Sequence, residues 1–272
     1  MLHYDTTQED GEPIVALSGG AARHPEYLGD LAGIGANGFR LVIPHLRGIG
    51  LSSGLEPASF WEQAADLEEL RLALGRERLI IAGHSAGTRL AIAYAAQYPQ
   101  RVAALVLITP PSTWLVPVPS DADTLIAPRR GDPAVDDALA LWAGGPPAPT
   151  GDDAADDVTL NAWFRGAAPV TYARWGATEQ AHALVGDVSA RAARAYFAET
   201  PPDLPARLAA VTAPVLVVAG AVDYAVGLAP VQAVAGLFPH GRTVTIPDCG
   251  HYPWVERPDE FRTAVDAFLA SL

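Results

Sequence analysis

Residues 78–109 read "RLIIAGHSAGTRLAIAYAAQYPQRVAALVLIT", and the run changes character three times. An apolar segment at 79–82 meets Gly83-His84-Ser85-Ala86-Gly87. An alanine-rich, helix-like stretch follows as far as Tyr98-Pro99, and a second apolar run comes after it. A solvated loop does not need glycine two residues either side of a serine, and a core strand has no use for the hydroxyl. Gly-x-Ser-x-Gly between a buried strand and a helix is the pattern of a nucleophile elbow. The turn is so tight that side chains two residues from the serine would collide with neighbouring backbone. The serine oxygen is then thrust up at the carboxyl end of a sheet. The N-terminus of the following helix favours negative charge developing beside it.

Outward from this stretch, further apolar runs recur at 13–18, 38–43, 103–109, 214–219 and 242–246. Several are continuous Val/Ile/Leu/Ala runs, as expected of strands buried on both faces of a parallel sheet. Helical patterns lie between them. In residues 59–74, Ser59 and Glu62 make a capping box, Phe60, Ala64, Leu67 and Leu74 mark one face, and Gly75 stops the helix. The last pattern, 257–272, begins with Pro258 and two acids and carries Phe261, Val265, Phe268 and Leu272 on one stripe. The alternation predicts an α/β protein with a doubly wound, mostly parallel sheet.

The alternation breaks between Pro110 and about Thr212. Proline clusters ("TPPSTWLVPVPS", "GGPPAPTGDDAADD") and nine aspartates between Asp121 and Asp157 mark the change. Helical patterns at 161–165, 170–184 and 190–199 follow, with no strand signal. The expected organisation is a core of 1–110 and 213–272 with a helical cap, or lid, inserted at 111–212. Residues 144–157 are the best candidate for a mobile loop.

Composition narrows the chemistry. The net charge of −13 disfavours nucleic acid and anionic membrane as partners. All 18 basic residues are arginine, which excludes Schiff-base chemistry, a pyridoxal-phosphate anchor, a phosphate-loop lysine and a Ser–Lys dyad. Cys249 is the single cysteine, so no intrachain disulfide forms. No apolar run approaches the roughly 20 residues that span a bilayer, and the polar, acidic start does not read as a signal peptide. The expected setting is cytoplasmic.

A serine is a weak nucleophile without a base, and the base needs an orienting acid; on this scaffold they follow in the order Ser, acid, His. Of seven histidines, His251 lies in a loop between the last strand signal and the final helix. His84 abuts the serine and reads as structural, and His45, after a strand, is the closest rival. For the acid, Asp223 follows a buried strand directly, and Asp248, three residues before His251, is the competitor. The oxyanion needs two backbone donors: the N–H of Ala86 after the serine, and one from the loop "IVALSGGAARH", where Gly20 is preferred and Gly19 is next. The aromatic residues Trp163, Phe164, Tyr172, Trp175, Tyr196 and Phe197 suggest an apolar substrate pocket over Ser85. Within that set Trp163, Tyr172, Trp175 and Tyr196 are the candidate substrate-binding residues. No metal-ligand pattern stands out.

Several pieces, taken together, resemble the α/β-hydrolase superfamily over nearly the whole chain, and within it the proline iminopeptidase-like serine hydrolases. They are "LSGG" after the first buried strand, "HLRGIGLS" after the next, the elbow with its flanks, "PVLVVAGAVD" and "CGHYPWVERPDEF". The resemblance implies a cofactor-free serine hydrolase acting on a small molecule. It also shows departures. Members commonly carry His-Gly-Gly-Pro-Gly where this chain has Ser18-Gly19-Gly20-Ala21-Ala22, and Asp where it has His45. Their lid often holds a Trp-Glu pair whose carboxylate receives a free amino terminus. Here Gly176 follows Trp175, and the nearest acids are Glu179 and Glu199. The departures weigh against a peptidase and leave hydrolysis of an ester or amide of a small apolar substrate in place. A proline iminopeptidase-type aminopeptidase is the alternative. From another class, a lyase, a cyclase or a ligand-binding protein on the same scaffold remains open.

Overall fold

The computed structural model describes residues 1–34, 36, 38–198, 200–201 and 203–272. Among these residues seven strands make one sheet: β1 (Tyr4–Thr6), β2 (Glu12–Leu17), β3 (Phe39–Pro44), β4 (Leu79–His84), β5 (Val102–Ile108), β6 (Val215–Gly220) and β7 (Gly241–Ile246). Their order is β1-β3-β2-β4-β5-β6-β7. All neighbours pair in parallel except β1, which runs antiparallel to β3. The six parallel strands lie where the apolar runs predict. β1 is an addition, because three exposed residues at a sheet edge carry no burial signal.

Helices cover both faces. On one lie α1 (Ala64–Ala73) and α2 (Gly87–Gln97), and on the other α11 (Pro258–Leu269), the last helix. Val15, Leu17, Ile81, Leu105 and Val217 point into the first layer. Ile14, Ala16, Ile80, Val106 and Val218 point into the second. The alternation is that of a strand with both faces buried, which is why these runs read as continuously apolar.

Two helical patterns are shorter than expected. The capping box is formed, with Ser59 N–H on Glu62 at 2.9 Å and Glu62 N–H on Ser59 Oγ at 3.1 Å. The regular helix α1 nevertheless begins only at Ala64, after turns through 60–63. At the other end, Leu272 lies beyond α11 and is 52 % exposed, so it is not part of the buried stripe of Phe261, Val265 and Phe268.

Between β5 and β6 the chain leaves the sheet through α3 (Ala122–Ile126), α4 (Pro133–Ala143), α5 (Asp153–Ala167), α6 (Ala177–Ala183), α7 (Ala190–Tyr196) and α8 (Leu204–Leu208). The pattern expected over 170–184 is broken: a short 3-10 turn ends at Val170, and α6 starts only at Ala177. Of the loop expected at 144–157, the last residues belong to α5, whose Asp152 side chain caps the N–H groups of Ala154 and Ala155. Two short helices follow in the sheet portion, α9 (Leu228–Ala233) after β6 and α10 (Pro253–Glu256) after β7. Among the described residues no helix is long and apolar enough to cross a membrane.

Candidate functional site

The loops after β2, β4, β6 and β7 meet at the carboxyl ends of the parallel strands, where open α/β sheets bind ligands. The β4 loop is the elbow. Ser85 has φ +50°, in the left-handed region that costs a residue with a Cβ roughly 1–2 kcal/mol. The surroundings hold it there: Ser85 N–H donates to Ile108 O at 2.9 Å, and Thr88 Oγ1 donates to Ser85 O at 2.6 Å. Both glycines are sterically required. A methyl group on Gly87 would sit 2.5 Å from Leu17 O, and one on Gly83 2.9 Å from Gly87 O.

Asp223, 1 % exposed, follows β6, and its Oδ2 lies 2.8 Å from His251 Nδ1. A carboxylate accepts, so Nδ1 carries the proton and the lone pair of His251 is on Nε2, the other ring nitrogen. Asp248 is 82 % exposed and pairs with Arg257 at 3.2 Å on the surface.

The His251 backbone is pinned on every side. Its N–H donates to Thr171 O at 2.8 Å, and its carbonyl accepts from His84 Nε2 at 3.0 Å and Thr109 Oγ1 at 3.1 Å. The flanking N–H groups of Gly250 and Tyr252 both donate at 3.0 Å to the carboxylate of Glu256 on α10. Ala173 N–H donates there too, at 2.7 Å. Burial pushes the Glu256 carboxyl up to about 7, against the downward pull of these three donors.

His84 links the two sides of the elbow. Its Nε2 must donate, since the His251 carbonyl can only accept, so Nδ1 receives the Tyr27 hydroxyl proton at 2.8 Å. Tyr27 Oη in turn accepts the Gly19 N–H at 2.6 Å. Burial, and then the neighbouring His251, hold the His84 imidazole well below its usual range and therefore neutral. The Gly19 N–H is thus engaged, whereas Gly20, φ +63°, borders the same chamber as Ser85 and His251. Ala86 is buried at the N-terminal edge of α2. His45, at the end of β3, is occupied elsewhere: Nε2 meets Asp5 at 2.9 Å and Nδ1 accepts Leu51 N–H.

The family described as alpha/beta hydrolase fold matches residues 12–258. The chain belongs to that family. A proline iminopeptidase from Neisseria gonorrhoeae is 38% identical over 103 residues, 36% of this chain and 32% of that protein. The match thus spans about a third of that relative's length. A 2-hydroxy-6-oxononadienedioate/2-hydroxy-6-oxononatrienedioate hydrolase of Pseudomonas putida is 27% identical over 99% of this chain and 91% of its own. Among solved structures, an esterase from Thermogutta terrifontis superposes with TM-score 0.71 at 23% identity, covering 99% of this chain and 93% of its own.

In this α/β hydrolase the chamber has a volume of about 170 Å³, and the inserted segment roofs it unevenly. Tyr172 lines it, and so does Phe164. Trp163 lines a neighbouring cavity instead. Two other expectations need correction. Tyr196 is fully buried and its hydroxyl donates to Ala86 O at 3.0 Å, so it anchors α7 to the elbow rather than facing a ligand. Trp175 packs against Tyr172, 5.6 Å between rings, and is not among the residues lining the chamber. Glu179 accepts the Gly176 N–H at 2.9 Å and is spent capping α6. Glu199 lies outside the described residues.

Sequence reasoning missed Arg23, Tyr27, Trp142, Tyr252 and Glu256. Arg23 borders the chamber and ties the loop after β2 to the insertion through His182 O, Val185 O and Gly186 O. Three of these carried a local signal: Tyr252 and Glu256 sit one and five residues after His251 in a run that already stood out, and Arg23 ends the loop that holds Gly19 and Gly20.

Proposed function

We propose that this α/β hydrolase is a serine hydrolase that cleaves an ester or amide of a small, largely apolar molecule through an acyl-enzyme on Ser85. One observation carries the reading: the 2.8 Å Asp223–His251 hydrogen bond at the floor of the chamber that Ser85 enters from its left-handed elbow. In this mechanism Ser85 Oγ attacks the acyl carbon and His251 Nε2 takes its proton. Asp223 holds the imidazolium, and the N–H groups of Gly20 and Ala86 receive the oxyanion. His251 returns the proton to the leaving group, and water, activated the same way, clears the acyl-enzyme. The residues assigned these roles need no cofactor or metal. The reading includes a small-molecule substrate and a cytoplasmic setting.

The partial likeness to proline iminopeptidases gives a second reading, and the chamber's charge argues against it. Among the described lining residues there is no Asp or Glu, but there are two arginines, Arg23 and the Asp187-paired Arg165. A free amino terminus held there without a carboxylate costs several kcal/mol. A proline arylamide, its N-acylated form and a matched neutral ester should be compared side by side. The ester is expected to be turned over at least tenfold faster than the free-amine arylamide. Acylating the amine should do little harm, and Ser85→Ala should abolish all three activities. A strong preference for the free amine would restore the peptidase reading.

A further inference from the structure

A chamber of about 170 Å³ is small for a ligand site, and a second cavity of about 460 Å³ adjoins it. Gly20, Trp142 and Phe164 line both, so one glycine and two aromatic side chains are their common wall. The second cavity is almost wholly apolar, walled by Leu160, Trp163 and Phe197 and by prolines of the 146–149 segment. Its charged members, Asp156 and Arg194, neutralise each other at 3.0 Å. Phe164 and Phe197 are 36 % and 45 % exposed, although both face this concavity. Apolar rings left uncovered in a cleft beside a reaction centre mark a place where apolar ligand surface is buried.

We infer that this annex receives the acyl arm of the substrate, and that the enzyme prefers esters of medium-chain or similarly extended apolar acids. The inference rests on the serine-hydrolase reading and deepens it. Of the groups on the reacting carbon, the leaving oxygen must lie beside His251, which protonates it, and the oxyanion beside Gly20 and Ala86. No residue of the Asp223 or His251 loops lines the annex. A substituent that reaches it past Gly20 is therefore remote from the leaving-group side, and that substituent is the acyl arm. The paired Asp156 and Arg194 fit an uncharged arm rather than an ionic one.

The test is a series of p-nitrophenyl esters from acetate to decanoate, with the leaving group held constant. Each methylene buried is worth up to roughly fourfold, so kcat/KM should rise at least tenfold between acetate and octanoate. Ala193 lines the annex on α7 and is not among the residues lining the chamber of Ser85 and His251. Ala193→Phe should lower octanoate turnover at least tenfold and leave acetate nearly unchanged. Binding of methyl octanoate to Ser85→Ala protein, followed by tryptophan fluorescence, gives a readout without turnover. It should be saturable, and Ala193→Phe should weaken it at least tenfold. Rates that are flat or falling with acyl length, or an Ala193→Phe loss equal for acetate and octanoate, would overturn the annex while leaving the serine hydrolase intact. Failure of the wild type on every ester would instead count against the reaction, and the binding experiment would still decide the annex.

Discussion

Ser85 and its neighbours illustrate how little freedom single positions have. Ser85, with its left-handed φ, lines the chamber, and Gly83 and Gly87 are required because backbone, at the start of α2 for Gly83 and at the end of β2 for Gly87, passes within 3 Å of where their Cβ atoms would be. The choice between two acids is equally physical. Asp223 is buried with a histidine ring nitrogen as partner, while Asp248 is solvated and paired with Arg257. Asp223→Asn is expected to lower kcat on the order of 10³–10⁴-fold, because an amide no longer fixes the tautomer of His251. Asp248→Asn should change it less than threefold, since an exposed ion pair contributes little. Steady-state kinetics on one ester for both variants checks this, and the reverse order would reassign the acid. At this scale the sequence was highly legible, because a serine flanked by spaced glycines, and loops ending apolar strands, are local signals. Tyr27 was not legible. A tyrosine in a loop looks the same whether its hydroxyl faces water or bridges Gly19 and His84.

Elements bring these residues together, and α10 illustrates how. One carboxylate on this four-residue helix gathers N–H groups from Gly250, Tyr252 and the inserted segment's Ala173, locking the His251 loop to the roof. Burial raises its carboxyl from the ordinary 4.5 to about 7 in the folded protein. A group whose pKa is higher folded than unfolded stabilises fully below the unfolded value. That contribution is lost as pH rises through the folded one. Wild-type stability should therefore fall, relative to Glu256→Gln, between about pH 4.5 and 7, and the difference should level off above that. Melting temperatures of the two proteins from pH 4.5 to 8.5 check this. A difference that stays constant across the window would remove Glu256 from the account. Element boundaries were only partly readable: Ser59 and Glu62 form their capping box, yet turns intervene before α1, so a cap signal placed the entry without fixing where regular helix begins.

For the molecule as a whole, the six parallel strands and the helices between them were legible because burial on both sheet faces leaves long apolar runs. The inserted segment was less so. Its aromatics read alike in sequence, but packing sorts them: Tyr196 into the core, Trp175 against Tyr172, Trp163 and Phe197 into the annex, and Phe164 onto the wall between the two cavities. That sorting depends on contacts distant along the chain, which composition does not encode. The proposed chemistry turns on a single atom, Ser85 Oγ. Incubation with a fluorophosphonate followed by peptide mass spectrometry should place one adduct on Ser85, with no labelling of Ser85→Ala or of heat-unfolded protein. An adduct on another residue, or labelling that survives Ser85→Ala, would contradict the account.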